Sequence, residues 1–370
     1  MPEAPRPLSR ITAVAPIRIC DNGGWTDTWF AERGCIFNIG VYPYAEVQVD
    51  VWPREAQADR VVLCAENYGE RYVVTPEGLG WDRHPLLEAA IHRMGVPEDV
   101  ALGITVFSEA PAGASTGTSA AVTVALIGAL DRLTPGRLTA HEVATTAHAV
   151  ETEMLGQQCG IQDQLCSAYG GINYIEMHRY PHAAVSPVQV PNAIWWELER
   201  RLALIYLGKS HSSSAVHAQV IRDLRDSGAD CAKLEDLRRT APRSKDALCC
   251  GDFEELGRAM ADNTEAQARL HGELVGADAL RVIDIARSFG AVGWKVNGAG
   301  GDGGSVTILA GGSSLEKRAM IRRIEESNPL YKSIPVYLSR FGLRVWEMAV
   351  APEGTGCPRQ ATRQTAPSPP

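Results

Sequence analysis

The stretch PAGASTGTSAAVTVAL, residues 111–126, reads as a strand end, a cradle and a helix start. Upstream, ITVF (104–107) has the apolar, β-branched character of a strand, and a helical pattern opens near Thr118. Between them lies a run drawn only from Ala, Gly, Ser and Thr. The first N–H groups of a helix lack intrahelical partners and carry the positive end of its dipole, so phosphate can sit there. Gly113 and Gly117 permit backbone conformations that a Cβ opposes. Thr116, Thr118 and Ser119 offer hydroxyls to a phosphate or a magnesium ion. Ser and Thr also cap ordinary helices, and at this point both readings stand. No G-x-x-x-x-G-K-[ST] loop occurs in the chain, so a triphosphate here implies another kinase architecture.

The 370 residues exceed what one hydrophobic core usually serves, which predicts two domains. A formal charge of −8 and no long basic run argue against nucleic acid or an anionic membrane as the partner. An anionic ligand then depends on local donors. Nine cysteines, an odd number with no CxxC spacing, fit neither a disulfide framework nor a zinc site and predict a reducing, cytoplasmic setting. The first residues have no apolar signal-peptide core, and no run of eighteen apolar residues predicts a membrane span. Residues 351–370, rich in Pro, Thr and Ala, are expected to be a disordered tail.

Strand-like text fills about 9–75, with AEVQVDVW alternating at period two. Helices are expected near 86–94, 117–132 and 139–155, a shorter one over IQDQLCSAYG, and a strand at GGINYIEM. RLALIYLG reads as a strand, followed by three or four helices over 214–288, then a helix near 314–326 and two closing strands. Strands and helices come in blocks, which predicts an α+β fold. The Pro-rich segment 181–191 is the expected boundary, dividing 1–190 from 191–350.

Three further stretches carry chemistry. VNGAGGDGGSVTILA contains G-x-G-x-x-G at Gly298, Gly300 and Gly303, but a strand-like SVTILA follows where a dinucleotide site needs a helix. The loop is left with close backbone packing or a ligand cleft as its purpose. APIRICDNGGWTDTWF sets Arg18 and Asp27 around a Gly-Gly turn beside Trp25 and Trp29, suited either to a polyhydroxylated ligand or to a surface ion pair. In AVETEMLGQQCGIQDQLCSAYGG, twelve residues separate Glu151 from Asp163, and a helix–loop–helix can bring both to one site. One carboxylate on a metal and one facing a hydroxyl is the division of labour of phosphoryl transfer, with helix capping the plain alternative.

In order, these stretches resemble the motifs of the galactokinase–homoserine kinase–mevalonate kinase–phosphomevalonate kinase (GHMP) superfamily, over about residues 10–350. GIQDQLCSAYGGINYIEM, LIYLGKSHSSSAVH and WKVNGAGGDGGSVTIL are similar to its D-glycero-D-manno-heptose 7-phosphate kinase branch, and GGWTD to the fucokinases. The resemblance implies a ribosomal-protein-S5-like N-terminal domain, a ferredoxin-like C-terminal domain, and ATP and a sugar meeting between them. It implies that Gly113, Ala114, Ser115, Thr116, Gly117, Thr118 and Ser119 hold the phosphates, with Ser119 and Glu151 on Mg2+. Asp163 corresponds to the catalytic base and Arg18 to the arginine near the transferred phosphoryl. Gly24, Trp25, Thr26, Asp27, His211 and Gly300 fall on the acceptor side. The reaction implied is transfer of the ATP γ-phosphoryl to the anomeric (C1) hydroxyl of a sugar, a heptose 7-phosphate or related heptose. A fucokinase- or galactokinase-like kinase and a catalytically silent ATP- and sugar-binding regulator are the alternatives. Oligomeric state is left open. Three departures stand out: Ser115, Thr116 and Thr118 replace the Gly, Leu and Ser of G-x-G-L-G-S-S, Asp302 enters the third motif, and His211 stands where related heptose kinases tend to carry arginine.

Overall fold

The computed structural model describes residues 6–78, 80–134, 137–209, 220–224 and 228–349. The expected tail, 351–370, and His211 lie outside the described residues. β1 (Ser9–Asn22) and β2 (Gly34–Pro53) form a long antiparallel hairpin at the centre of a nine-stranded sheet. β2 then pairs along one half with β5 (Val100–Ser108) and along the other with β6 (Ile172–Arg179). β3 (Val61–Ala65) lies parallel to β5 and carries β4 (Glu70–Val73) at its outer side. The period-two alternation of the AEVQVDVW stretch is borne out, with residues 45–51 alternately buried and half-buried.

α2 (Thr118–Asp131) follows α1 (Pro85–Met94) and packs under β1 and β2. Small residues and an apolar surface on every side make it a core helix. α3 (Ala140–Ala149) opens on a capping box of Thr139 and Glu142. It runs into one π-helical turn, Val150–Met154, before α4 (Gln162–Tyr169).

The Pro-rich segment is not a bare linker. His182–Pro187 forms β7, antiparallel to β6, with Pro181 before it and Pro187 at its last position, where a missing N–H costs the ladder least. After Pro191 comes α5 (Asn192–Arg201), for which no helix was expected. β8 (Leu202–Tyr206) then enters a second, four-stranded antiparallel sheet with β9 (Gly293–Val296), β10 (Ser305–Leu309) and β11 (Lys332–Ile334). The helices of this part of the chain are α6 (Ala232–Arg238), α7 (Thr240–Cys250), which packs back on β1, β2 and β6 of the first sheet, α8 (Phe253–Leu270), α9 (Ala277–Ser288) and α10 (Ser314–Ser327). The chain finally returns to the first sheet: β12 (Tyr337–Leu338) pairs with β2 and β13 (Arg344–Ala349) with β1. A division at residue 190 therefore separates two strands from the sheet that holds their hydrogen bonds. The two-sheet α+β architecture agrees with the expected fold class. Among the described residues no helix is long and apolar enough to cross a membrane, and no cysteine forms a disulfide.

The far end of β1 joins the halves. The register shifts between Ile19 and Asn22, and Cys20 takes a left-handed φ of 56°. Strict alternation puts residues 18 and 21 on opposite faces, whereas the bulge turns both Arg18 and Asp21 toward one cleft. Asp21 lies 3.4 Å from the Lys295 ammonium, with both side chains 1% exposed, and it accepts the Gly298 N–H at 3.0 Å. Burial pushes the Lys295 pKa down, while the Asp21 charge opposes that shift. Around the pair, Asn297 accepts the Cys20 N–H at 3.2 Å and Asn263 the Gly23 N–H at 2.7 Å. Removing one member of a buried ion pair strands the other charge, so Lys295→Met is expected to cost about 3–5 kcal/mol in urea denaturation. Asp21→Asn combined with Lys295→Met should recover part of that loss. A single-variant loss within measurement error would show that the pair does not hold the halves together.

Candidate active site

Residues from both halves line a cleft of about 440 Å³. One wall is the loop from β5 to α2. Its helix cap is Gly117, with φ 69°, and no side chain caps α2, so the capping reading of these Ser and Thr residues fails. Thr116 is buried, and its hydroxyl lies 3.3 Å from that of Thr118. Ser119 is exposed at the first turn. The loop is fixed through three successive carbonyls. Ala114 O accepts the Ser305 hydroxyl at 2.6 Å, Ser115 O accepts the Arg18 guanidinium, and Thr116 O accepts the Arg18 N–H at 2.9 Å. Ser115 is left-handed at φ 57°, the conformation that glycine adopts without strain. A Cβ on Gly117 would come within 3.1 Å of the Asp163 carboxyl carbon, so this glycine also leaves room for the next wall.

That wall is built on β1 and α4. Arg18 grips Asp163 in a fork, Nε to Oδ1 at 2.8 Å and Nη2 to Oδ2 at 3.1 Å. Burial works against the Arg18 charge, but Asp163 and Asp21 outweigh it and hold the guanidinium pKa above its ordinary value. Asp163 stays partly exposed to the cleft. Asp27 is buried and accepts the Gln162 N–H at 3.0 Å. Burial pushes its carboxyl pKa up to about 6, against that hydrogen bond. A Cβ on Gly160 would stand 1.9 Å from Asp27 Oδ2, so only glycine fits there.

Glu151 sits in the π-helical turn that ends α3, an irregularity often found at functional sites. It is buried, and its Oε1 accepts the Gln164 amide at 2.8 Å. Burial pushes its pKa up to about 7, with the charge of Asp163 adding to the effect. Glu151 and Ser119 both line the cleft, and with the phosphate oxygens of a nucleotide they would offer an all-oxygen donor set of the kind that suits a hard divalent cation. Among the described residues no cluster of three or more His, Cys, Asp or Glu is arranged to hold a metal alone. The residues fit magnesium shared with phosphates.

Of the expected site residues, Arg18, Trp25, Asp27, residues 113–119, Glu151 and Asp163 line this one cleft. Gly24 and Thr26 are buried behind it, where the Thr26 hydroxyl bonds Gly23 O at 2.7 Å. Gly300 does not line it either: a Cβ there would lie 1.9 Å from Leu274 O, so it serves backbone packing. Gly298 and Ala299 are the third-motif residues that reach the cleft. Asp302 turns outward to an exposed pair with Lys209 at 3.1 Å. Sequence reasoning missed Asp21, Gln162 and Gln164. The glutamines flank Asp163 in GIQDQ, and their polar side chains on a short, otherwise core-packed helix were the available signal.

The family model for the N-terminal domain of GHMP kinases matches residues 85–171. A D-glycero-alpha-D-manno-heptose 7-phosphate kinase of Campylobacter jejuni is 27% identical over 205 residues, 55% of this chain and 60% of that protein's length. A mevalonate kinase of Pyrococcus abyssi is 31% identical over 291 residues, 75% of this chain and 77% of its own. Among solved structures, a D-glycero-D-manno-heptose 1-phosphate kinase from Bacteroides thetaiotaomicron superposes with a TM-score of 0.72 at 22% identity, covering 92% of this chain and all of the other. With the cleft, the three motifs in order and a relative aligned over three quarters of both chains, the protein belongs to the GHMP kinases.

Proposed function

We propose that this chain transfers the γ-phosphoryl of ATP to the anomeric hydroxyl of a sugar, the acceptor being a heptose or heptose 7-phosphate. The observation that carries this reading is the charge of the acceptor end. Asp27 and Asp163 converge there, and Arg18, the one Lys or Arg among the described lining residues, is already paired with Asp163. An acceptor that brings a carboxylate to that end, such as mevalonate, finds no unpaired Lys or Arg there among the described lining residues, and a heptose 7-phosphate fits only with its phosphate directed away from it. A neutral polyol instead supplies hydroxyl donors to carboxylates that can only accept. The similarity to heptose phosphate kinases supports the finer choice of sugar.

The α2 N-terminus and the hydroxyls of Thr118 and Ser119 hold the triphosphate. Ser119 and Glu151 would hold magnesium, which would supply charge neutralisation to the bound phosphates. Asp163 accepts a hydrogen bond from the anomeric hydroxyl and takes its proton as the sugar oxygen bonds to the γ-phosphorus. The β–γ bridging bond breaks, and ADP leaves with its electron pair. An anomeric hydroxyl is more acidic than an ordinary alcohol, so a carboxylate forked by Arg18 can still serve as the base. Positioning and charge supply most of the rate.

A screen of sugars and sugar phosphates with ATP and magnesium, read by phosphorus NMR, tests the reading. An anomeric phosphate is expected. A primary-hydroxyl phosphate overturns the regiochemistry, and no ATP consumption with any sugar leaves the regulator reading in its place. Asp163→Asn should lower turnover about 10²–10⁴-fold with ATP affinity unchanged, measured by steady-state kinetics and nucleotide titration. Unimpaired turnover would sink the base assignment. Glu151→Ala should raise the magnesium concentration for half-maximal rate, and a titration that overlays the parent's refutes the metal role. The Asp27 pKa is raised to about 6, so the carboxylate protonates as pH falls through that value. With magnesium and ATP saturating, the KM for the sugar should climb about tenfold per pH unit below it, and Asp27→Asn should abolish the climb. A sugar KM that stays flat from pH 8 to pH 5 contradicts the assignment.

A further inference from the structure

Gln162 has a buried amide that the fold does not use. The residue is the first of α4, is 6% exposed and still lines the cleft between Asp27 and Asp163. Its backbone is fully employed, with the N–H on Asp27 and the carbonyl accepting Asn38 Nδ2 at 3.4 Å. Its side-chain Oε1 is buried without a hydrogen-bond partner. An apolar residue of the same length would fill this volume without leaving an acceptor unpaired, so the amide weakens the empty protein.

We propose that Gln162 is a specificity-determining residue whose amide bonds the sugar hydroxyl next to the one taken by Asp27, so that the site selects a vicinal diol. The inference rests on the sugar-kinase reading and deepens it. Asp27 and the root of the Gln162 side chain are joined by a 3.0 Å hydrogen bond, so the two groups hold a fixed spacing suited to neighbouring carbons. A hydroxyl both donates and accepts, so it satisfies either end of the amide, whereas Asp27 only accepts. A site that leaves a polar group unpaired when a hydroxyl is missing discriminates far more strongly than an apolar pocket does.

The test uses the full chain, the sugar it accepts, and that sugar's monodeoxy analogues. Gln162→Met should raise the sugar KM about 10- to 100-fold, leave the KM for ATP unchanged, and hold or raise the melting temperature. One deoxy position should hurt the parent and cost Gln162→Met nothing further, and the adjacent position should behave that way in Asp27→Asn. An unchanged sugar KM, a melting temperature that falls together with both KM values, or coupled positions that are not adjacent would each overturn the proposal while leaving the kinase reading intact. A parent chain that phosphorylates no sugar overturns both.

Discussion

Asp21 at the end of β1 is the group on which the rest of the structure depends. Only 1% exposed at the edge of the cleft, it is held by Lys295 from one side and the Gly298 N–H from another. Lys295 lies on β9 of the second sheet, and Gly298 opens the loop that follows. A single carboxylate thereby fixes strand, loop and second sheet in one arrangement. A buried lysine is expensive unless paired, so the arrangement resists sliding: any displacement leaves two charges without compensation. Arg18, three residues earlier, feels the same carboxylate and passes the constraint to Asp163 and the phosphate loop.

The loop after β5 shows how that constraint becomes a shape. Ser115 occupies the place of a family glycine yet keeps the left-handed backbone that glycine would adopt. The strain of a side chain there, about 1–2 kcal/mol, is offset by bonds that this conformation allows. Its carbonyl takes the Arg18 guanidinium, and the carbonyls on either side take Ser305 and the Arg18 N–H. The departure in side chain therefore still allows a left-handed backbone at this position. Asp302, the other departure nearby, carries no burden in the cleft because its carboxylate faces solvent and Lys209.

What was legible in the sequence follows from how local each signal is. α2 begins at Thr118, as its pattern predicts, because a glycine cap and an apolar run are both written within a few residues. Glu151 and Asp163 reach one cleft, as their spacing allows, since a helix, a loop and a second helix need no distant partner to turn the chain back. Asp21 was not legible. Period-two alternation points it away from Arg18, and the bulge that reverses it rests on Cys20 in a left-handed conformation, for which cysteine gives no signal. Gly300 misled in the opposite direction: a glycine motif announces close approach, but not whether a ligand or the Leu274 carbonyl approaches. The return of β13 to β1 was hidden because a strand's partner is set by tertiary pairing, not by its own pattern.

The carboxylates of the cleft fall into two groups by what holds them. Asp163 and Asp21 face cations supplied by the chain itself, Arg18 and Lys295. Asp27 and Glu151 are buried against amide donors, the Gln162 N–H and the Gln164 side chain, and their pKa values rise to about 6 and about 7. Desolvated carboxylates without a fixed cation are costly in the empty protein, and a ligand that supplies hydroxyl donors or positive charge relieves that cost on binding. The first pair is thus held by the chain's own cations, Asp21 inside the scaffold and Asp163 at the edge of the cleft. The second pair is left incomplete by the fold, and in the proposed reading each member meets a different ligand component, the acceptor at Asp27 and the cation with its phosphates at Glu151. Environments that separate like groups in this way assign their roles more firmly than residue type does.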